Sequence, residues 1–184
     1  MGAAAASFSA EDLRPLKTFF QDEGRFGRMT DPVSCWAPAG LRPLVKTHMV
    51  REYTHVFSVA CPGDGQTFSL ILPFADTPAM QLFLQELSQQ FKDCRLVVVM
   101  DQAAWHRSKD LGEFENIRIL FQPAHSPELN PVEHLWEHIR EKHLRNRAWS
   151  SLEELEQELE SILKELATSA DTIQSLVGFH WAII

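Results

Sequence analysis

Leu96-Val97-Val98-Val99-Met100-Asp101 carries five apolar residues without a break and then stops at a carboxylate. Successive side chains of a strand point to opposite faces, so a run that is apolar at every position reads as a strand covered on both sides. Ile117-Arg118-Ile119-Leu120-Phe121, ended by Gln122-Pro123, reads as a second buried strand. Strands of this kind need helices above and below, which predicts an α/β chain with a mixed sheet flanked by helices. Upstream, Leu16 to Phe20 leads through Gln21-Asp22-Glu23 to Gly24 and reads as the first strand. Val33 to Val45 is broken by Pro38, Gly40 and Pro43 and is expected to form a short irregular hairpin. Tyr53 to Ala60 alternates as a strand, Pro62-Gly63-Asp64-Gly65 is a turn, and Thr67 to Leu72 is the returning strand. Five regular strands result, three in a meander and two buried.

Helical spacing fills the intervals. Asp76 is placed as an N-cap with Pro78 in the first turn, ahead of Met80, Phe83, Leu84, Leu87 and Phe91 at helical period. Asn130-Pro131 opens a helix with Val132, Leu135, Trp136, Ile139 and His143 on one face. Ser150-Ser151 opens another, with the stripe Leu152, Leu155, Leu159 and Leu163. The division expected is an N-terminal tail over 1–14, a catalytic domain over 15–149 and an acidic helical appendage over 150–184.

With 184 residues the chain suits one core, and 45% hydrophobic with 23% charged residues argues against disorder. Cys35, Cys61 and Cys94 are odd in number and form no C-x-x-C pair, so no disulfide framework or cysteine zinc site is indicated and a reducing cytoplasm is expected. No signal-peptide pattern is seen, and the longest aliphatic run, Leu96 to Met100, is far short of the ~20 residues of a membrane helix.

The chemistry-bearing candidates are carboxylates. Asp101 ends a buried strand, where α/β sheets place ligands, and a turn-forming role is its alternative. Asp22 ends the first strand; Glu23 beside it faces the opposite side, so only one of the two points with Asp101. Glu133 sits at the third helical position after Asn130, where a capping box would account for it without catalysis. If Asp22, Asp101 and Glu133 converge, they make an all-oxygen site suited to Mg²⁺ or Mn²⁺, and two such ions about 4 Å apart can serve phosphodiester chemistry.

Rival chemistries have weaker support. His134 and His138 are four apart, but the glutamate falls at position 137, which is not the H-E-x-x-H zinc pattern. G-x-S-x-G, a P-loop and G-x-G-x-x-G are all absent. Trp36, Trp105 and Trp136 are expected in the core.

Asp101-Gln102-Ala103-Ala104-Trp105-His106, followed by Ser126-Pro127-Glu128-Leu129-Asn130-Pro131-Val132-Glu133-His134-Leu135-Trp136, resembles the catalytic signature of mariner-like DDE transposases, in particular their bacterial insertion-sequence branch. Asp22-Glu23-Gly24-Arg25-Phe26-Gly27 resembles the segment of the family's first aspartate, and Trp36-Ala37-Pro38-Ala39-Gly40 the hairpin after it. The likeness runs from about Leu16 to Arg147, with a slightly short spacing from Asp101 to Glu133. It implies an RNase H-like fold. It implies that Asp22, Asp101 and Glu133 hold two Mg²⁺ ions, replaceable by Mn²⁺, with Asp22 between them. The activity implied is metal-dependent nicking of DNA at element ends, then strand transfer of the freed 3′-hydroxyl into target DNA without a covalent protein intermediate. His106, Arg107 and Lys109 are candidates to steer the phosphate backbone, with surface solvation the leading expectation for any one of them. Localisation would be cytoplasmic, and nucleoid-associated when acting.

The family's basic helix-turn-helix modules precede its first aspartate, and only 21 residues precede Asp22 here. The partners expected besides DNA are therefore a second copy in a homodimer or a separately encoded helix-turn-helix half, and no membrane. Two alternatives stay open: a truncated, non-catalytic remnant that assembles with or regulates full-length transposase, and an RNase H-like nuclease acting on RNA-DNA hybrids. The net charge of -8 first argues against a stand-alone nucleic-acid binder. Its distribution changes that reading, since Ser150 to Ile184 holds seven acids and one base. Arg25, Arg28, Arg42, Lys46 and Arg51 form one basic cluster and Arg140, Lys142, Arg145 and Arg147 another, and both are expected to flank the carboxylates.

Overall fold

The structure is a computed structural model that describes residues 7–29, 32–47 and 49–183. The expected tail is therefore seen only from Ser7, and Met1 to Ala6 lie outside the described residues. Five strands form one sheet: β1 (Leu16–Gly27), β2 (Tyr53–Ala60), β3 (Thr67–Leu72), β4 (Arg95–Met100) and β5 (Ile117–Phe121). Their order is β3-β2-β1-β4-β5. The meander β1-β2-β3 is antiparallel, while β4 runs parallel to β1 and β5 parallel to β4. The helices are α1 (Thr77–Gln90), α2 (Glu133–His138), which continues into a π-helical turn over Ile139–His143, α3 (Leu152–Ala167) and α4 (Ala170–Val177).

Alternation along the central strands divides the core into two layers. Phe19, Phe57, Val59, Leu96, Val98 and Met100 pack with Met80, Phe83, Leu84 and Leu87 of α1 on one face. Phe20, Val56, Val97 and Val99 pack with Leu135 and Trp136 of α2, Leu155 and Leu159 of α3 and Ile173 of α4 on the other. The unbroken apolar run of β4 thus feeds both layers, as strands buried on two sides do. The acidic C-terminal helices close the second face, with their charged residues outward and Leu155, Leu159, Ile162, Leu163 and Leu166 inward.

Local chemistry sets the helix starts. Asp76 accepts the Ala79 N–H at 2.9 Å, and Ser151 accepts the Glu154 N–H at 3.2 Å while the Glu154 carboxylate accepts the Ser150 N–H at 2.7 Å.

Three expectations fail. No strand forms over Val33 to Val45: Pro38 and Pro43 remove ladder donors, and the segment lies exposed with a single turn closed by Leu41 N–H on the Pro38 carbonyl. Trp36 within it is fully exposed instead of in the core, whereas Trp136 is buried. The first strand also runs to Gly27 rather than ending near Phe20, because β2 pairs with it from Phe20 through Gly27.

Candidate active site

The β1-β4 ladder sets the first two carboxylates. Phe20 stands opposite Val99 in parallel register, and two residues further along each strand are Asp22 and Asp101. Hydrogen-bonded neighbours in a sheet lie about 4.8 Å apart, and in-register residues share a face. Phe20 and Val99 both belong to the α2-α3 layer, and Asp22, still within β1, alternates toward that layer, whereas Asp101 lies one residue beyond β4 and is linked through His106 to Glu23. Glu23, one residue on, alternates with Asp22.

Glu133 comes to Asp22 through a buried amide. Asn130 is 4% exposed; its Nδ2 donates to the Gln21 carbonyl at 3.0 Å and its Oδ1 accepts the Val132 N–H at 3.2 Å. One side chain therefore joins β1, just before Asp22, to the turn that opens α2. The capping-box role open to Glu133 is not realised, because the Asn130 N–H that it would cap donates to the Pro127 carbonyl at 2.8 Å. The Glu133 N–H donates to the Asn130 carbonyl at 3.2 Å, and its carboxylate takes no hydrogen bond among the described residues.

Asp22 is pushed up to about 7, first by burial and then by the negative charge of Glu133, with a smaller push from Glu23; a hydrogen bond from Trp136 opposes the rise. The Trp136 Nε1–H donates to Asp22 Oδ2 at 2.9 Å. Gly24 makes room for this contact: a Cβ there would lie 2.9 Å from Trp136 Cδ2 and 2.8 Å from Phe26 Cε2. Sequence pattern places Trp136 on the apolar helix face but gives no sign that its polar edge serves a carboxylate.

Asp101 is half-anchored. Its Oδ1 accepts the Ala103 N–H at 2.9 Å, so the turn-forming reading of this residue holds, and it also faces His106 Nδ1 at 2.6 Å. His106 is 2% exposed, and its Nε2 lies 2.8 Å from Glu23 Oε1. Both expectations for His106, surface solvation and phosphate steering, are thereby corrected: the imidazole is enclosed between two carboxylates. Burial lowers its basicity, but the hydrogen bond and charge of Glu23 and the charge of Asp101 outweigh this and raise its pKa. Arg107 and Lys109 remain exposed.

Glu133 is thus near enough to Asp22 to act on its charge, and Asp101 stands at the end of the neighbouring strand, but among the described residues no three ligating side chains are gathered closely enough to hold an ion as they stand. The donor set nonetheless fits a hard divalent cation. It consists of oxygens only, and the repulsion between partly buried Asp22 and Glu133 is what a cation would relieve.

One residue of the first basic cluster and two of the second share a cavity. Arg25 of β1 and Arg140 and Arg145 beyond α2 line a cavity of about 400 Å³ with Phe26 and Trp149. Arg140 lies over the Phe26 ring at 5.2 Å. Arg28 and Arg147, from the same clusters, are engaged by Glu52 and Glu158. A larger cavity of about 880 Å³ between β3 and α3 is walled by Glu153, Glu156 and Glu160, which is the wrong charge for a phosphate backbone.

A mixed sheet of this order, with carboxylates where its two adjacent parallel strands end, is the RNase H-like architecture. The chain belongs to the DDE superfamily endonuclease family, whose model matches residues 17–156. It is 34% identical over 131 residues to the uncharacterized protein y4pE/y4sA of Sinorhizobium fredii, covering 71% of this chain and 97% of that one. It is 35% identical over 81 residues to the transposable element Tcb2 transposase of Caenorhabditis briggsae, covering 42% of this chain and 29% of that protein. The Mos1 mariner paired end complex with Mg has a TM-score of 0.63 at 16% identity, over 87% of this chain and 52% of the Mos1 chain. The Mos1 strand transfer complex has a TM-score of 0.61, also at 16% identity, over 89% of this chain and 55% of that one. The chain therefore spans about half of the Mos1 transposase chain and under a third of the Tcb2 transposase. No helix among the described residues is long and apolar enough to cross a membrane.

Proposed function

We propose that this chain is the catalytic domain of a DDE transposase of the insertion-sequence type, acting on phosphodiester bonds at the ends of a DNA element and joining the freed 3′-hydroxyl to target DNA. The observation that supports the reading is the register that sets Asp22 and Asp101 two residues beyond the Phe20–Val99 pair of adjacent parallel strands, with the charge of Glu133 acting on Asp22. In this reading Asp22, Asp101 and Glu133 hold two divalent ions, Mg²⁺ or Mn²⁺. When bound, these would supply Lewis-acid activation of the attacking oxygen and stabilisation of the leaving one.

The protein's own part is to present half-anchored carboxylates. Trp136 holds Asp22 by Oδ2, and Ala103 and His106 hold Asp101 by Oδ1, so each keeps one oxygen for a ligand while its rotation is restricted. Glu133 brings a third carboxylate that no capping bond engages. Arg25 and Arg140, with Arg145 whose guanidinium also donates to the Ser34 carbonyl, line a cavity shared with Glu141 and supply the cations that contact backbone phosphates. Recognition of element ends falls to a helix-turn-helix half encoded separately, or to assembly as a dimer, and the site of action is the cytoplasm at the nucleoid.

The test supplies Mn²⁺, DNA carrying the element ends and the separately encoded DNA-binding half. Nicking that depends on Asp101 and Glu133 is expected. Absence of cleavage, together with binding to full-length transposase, would favour a non-catalytic assembly partner instead.

A further inference from the structure

Glu23 has no part in the function above and His106 enters it only as one of two donors to Asp101, yet both side chains are removed from solvent at its edge. The His106 imidazole follows β4 by a turn closed by its own N–H on the Ala103 carbonyl at 3.0 Å. Its Nδ1 meets Asp101 Oδ1 at 2.6 Å, and its Nε2 meets Glu23 Oε1 at 2.8 Å. Glu23 is held in turn by Gln21 Nε2 at 2.9 Å. A carboxylate that ends a strand otherwise turns freely about its side-chain bonds. Here a rigid ring spans from Asp101 to the opposite side of β1, and the ring cannot swing because its far nitrogen is fixed.

We propose that His106, seated on Glu23, is a positioning residue that fixes the orientation of the Asp101 carboxylate and thereby sets the affinity of the site for its divalent cation. The inference rests on the assignment of Asp101 as a ligand. Hydrogen-bonding partners behind a metal ligand commonly change metal affinity by about 10- to 100-fold when removed.

Two substitutions separate positioning from simple structural support. In His106→Asn the amide nitrogen falls near the position of Nδ1, which keeps the donor to Asp101 and abandons Glu23. In His106→Gln the amide nitrogen reaches the position of Nε2, which keeps Glu23 partnered and releases Asp101. A buried carboxylate left without its donor is costly, so structural support alone ranks His106→Gln as the more stable variant and gives it the better metal affinity. Positioning predicts the opposite order for the metal. Binding of Mn²⁺ alone is measured by calorimetry, with unfolding midpoints taken on the same samples and Asp101→Asn as reference.

The expected result is a loss of Mn²⁺ affinity of about tenfold or more in His106→Gln and of no more than about threefold in His106→Asn, although the latter unfolds more easily. Mn²⁺ affinity that follows the stability order, or that moves in neither variant while Asp101→Asn abolishes binding, overturns the positioning role and leaves the assignment of Asp101 intact. Unchanged Mn²⁺ binding in Asp101→Asn overturns both.

Discussion

Replacing Asp22 with Asn should stabilise the metal-free protein while destroying its proposed activity. In the folded chain Asp22 is pushed up from 3.8 to about 7, chiefly by burial and by Glu133. The folded state therefore holds this proton more tightly than the unfolded state. The stability it contributes is present in full below about pH 4 and is lost as pH rises toward 7. At pH 8 the ionised carboxylate costs on the order of 4 kcal/mol, at about 1.4 kcal/mol per pH unit between the two values, and structural relaxation reduces this toward about 2. Asn has the same shape, keeps an acceptor for Trp136 Nε1 and carries no charge. For a chain of this size each kcal/mol moves the midpoint by roughly 2–4 °C, so Asp22→Asn should unfold about 5–15 °C higher than the unaltered chain at pH 8 in EDTA. At pH 5 the gain should shrink to under half of that, because the folded unaltered chain then holds its proton. Calorimetric melts of both proteins at the two pH values check it. A variant that is less stable than the unaltered chain at pH 8, or equally stabilised at both pH values, would refute the claim that Asp22 is a buried, repelled carboxylate.

Asn130→Ala removes both bonds of the amide that joins β1 to α2, and should cost about 1–3 kcal/mol in denaturant melts while lowering Mn²⁺-dependent cleavage more than that loss accounts for. Gly24→Ala sets a methyl against Trp136 and Phe26 and should cost about 1–3 kcal/mol, with a change in Trp fluorescence that marks the displaced indole. Arg140→Ala should weaken DNA binding across all sequences and reduce the salt slope of log K by about 1, whereas Arg147→Ala, whose guanidinium is engaged by Glu158, should change that slope far less.

The sheet was legible because its signals are local. An apolar run at every position of β4 requires cover on both faces, and Asp76 and Ser151 announce helix starts by their own side-chain chemistry. The segment over Val33 to Val45 was misread because its turn residues are genuine while its partner strand is missing, and only tertiary structure supplies or withholds a partner. The carboxylates Asp22, Asp101 and Glu133 were legible as candidates because polar residues there interrupt apolar patterns, although Asp22 lies inside β1 and not at its end. Their surroundings were not. His106 follows Asp101 by five residues and carries no burial signal, since its enclosure depends on Glu23, which is 83 residues away. Trp136 and Asn130 each satisfy a local explanation, core packing and helix capping, that conceals a second bond to β1.

The most direct test of the account is Mn²⁺-dependent nicking of element-end DNA by the chain, alone and with any separately encoded DNA-binding protein, compared with Asp101→Asn and Glu133→Gln at matched unfolding midpoints. The account predicts cleavage by the unaltered chain and loss of at least about a hundredfold in each variant, as befits removal of a group that acts directly on the transition state. Cleavage that persists undiminished in either folded variant would contradict it.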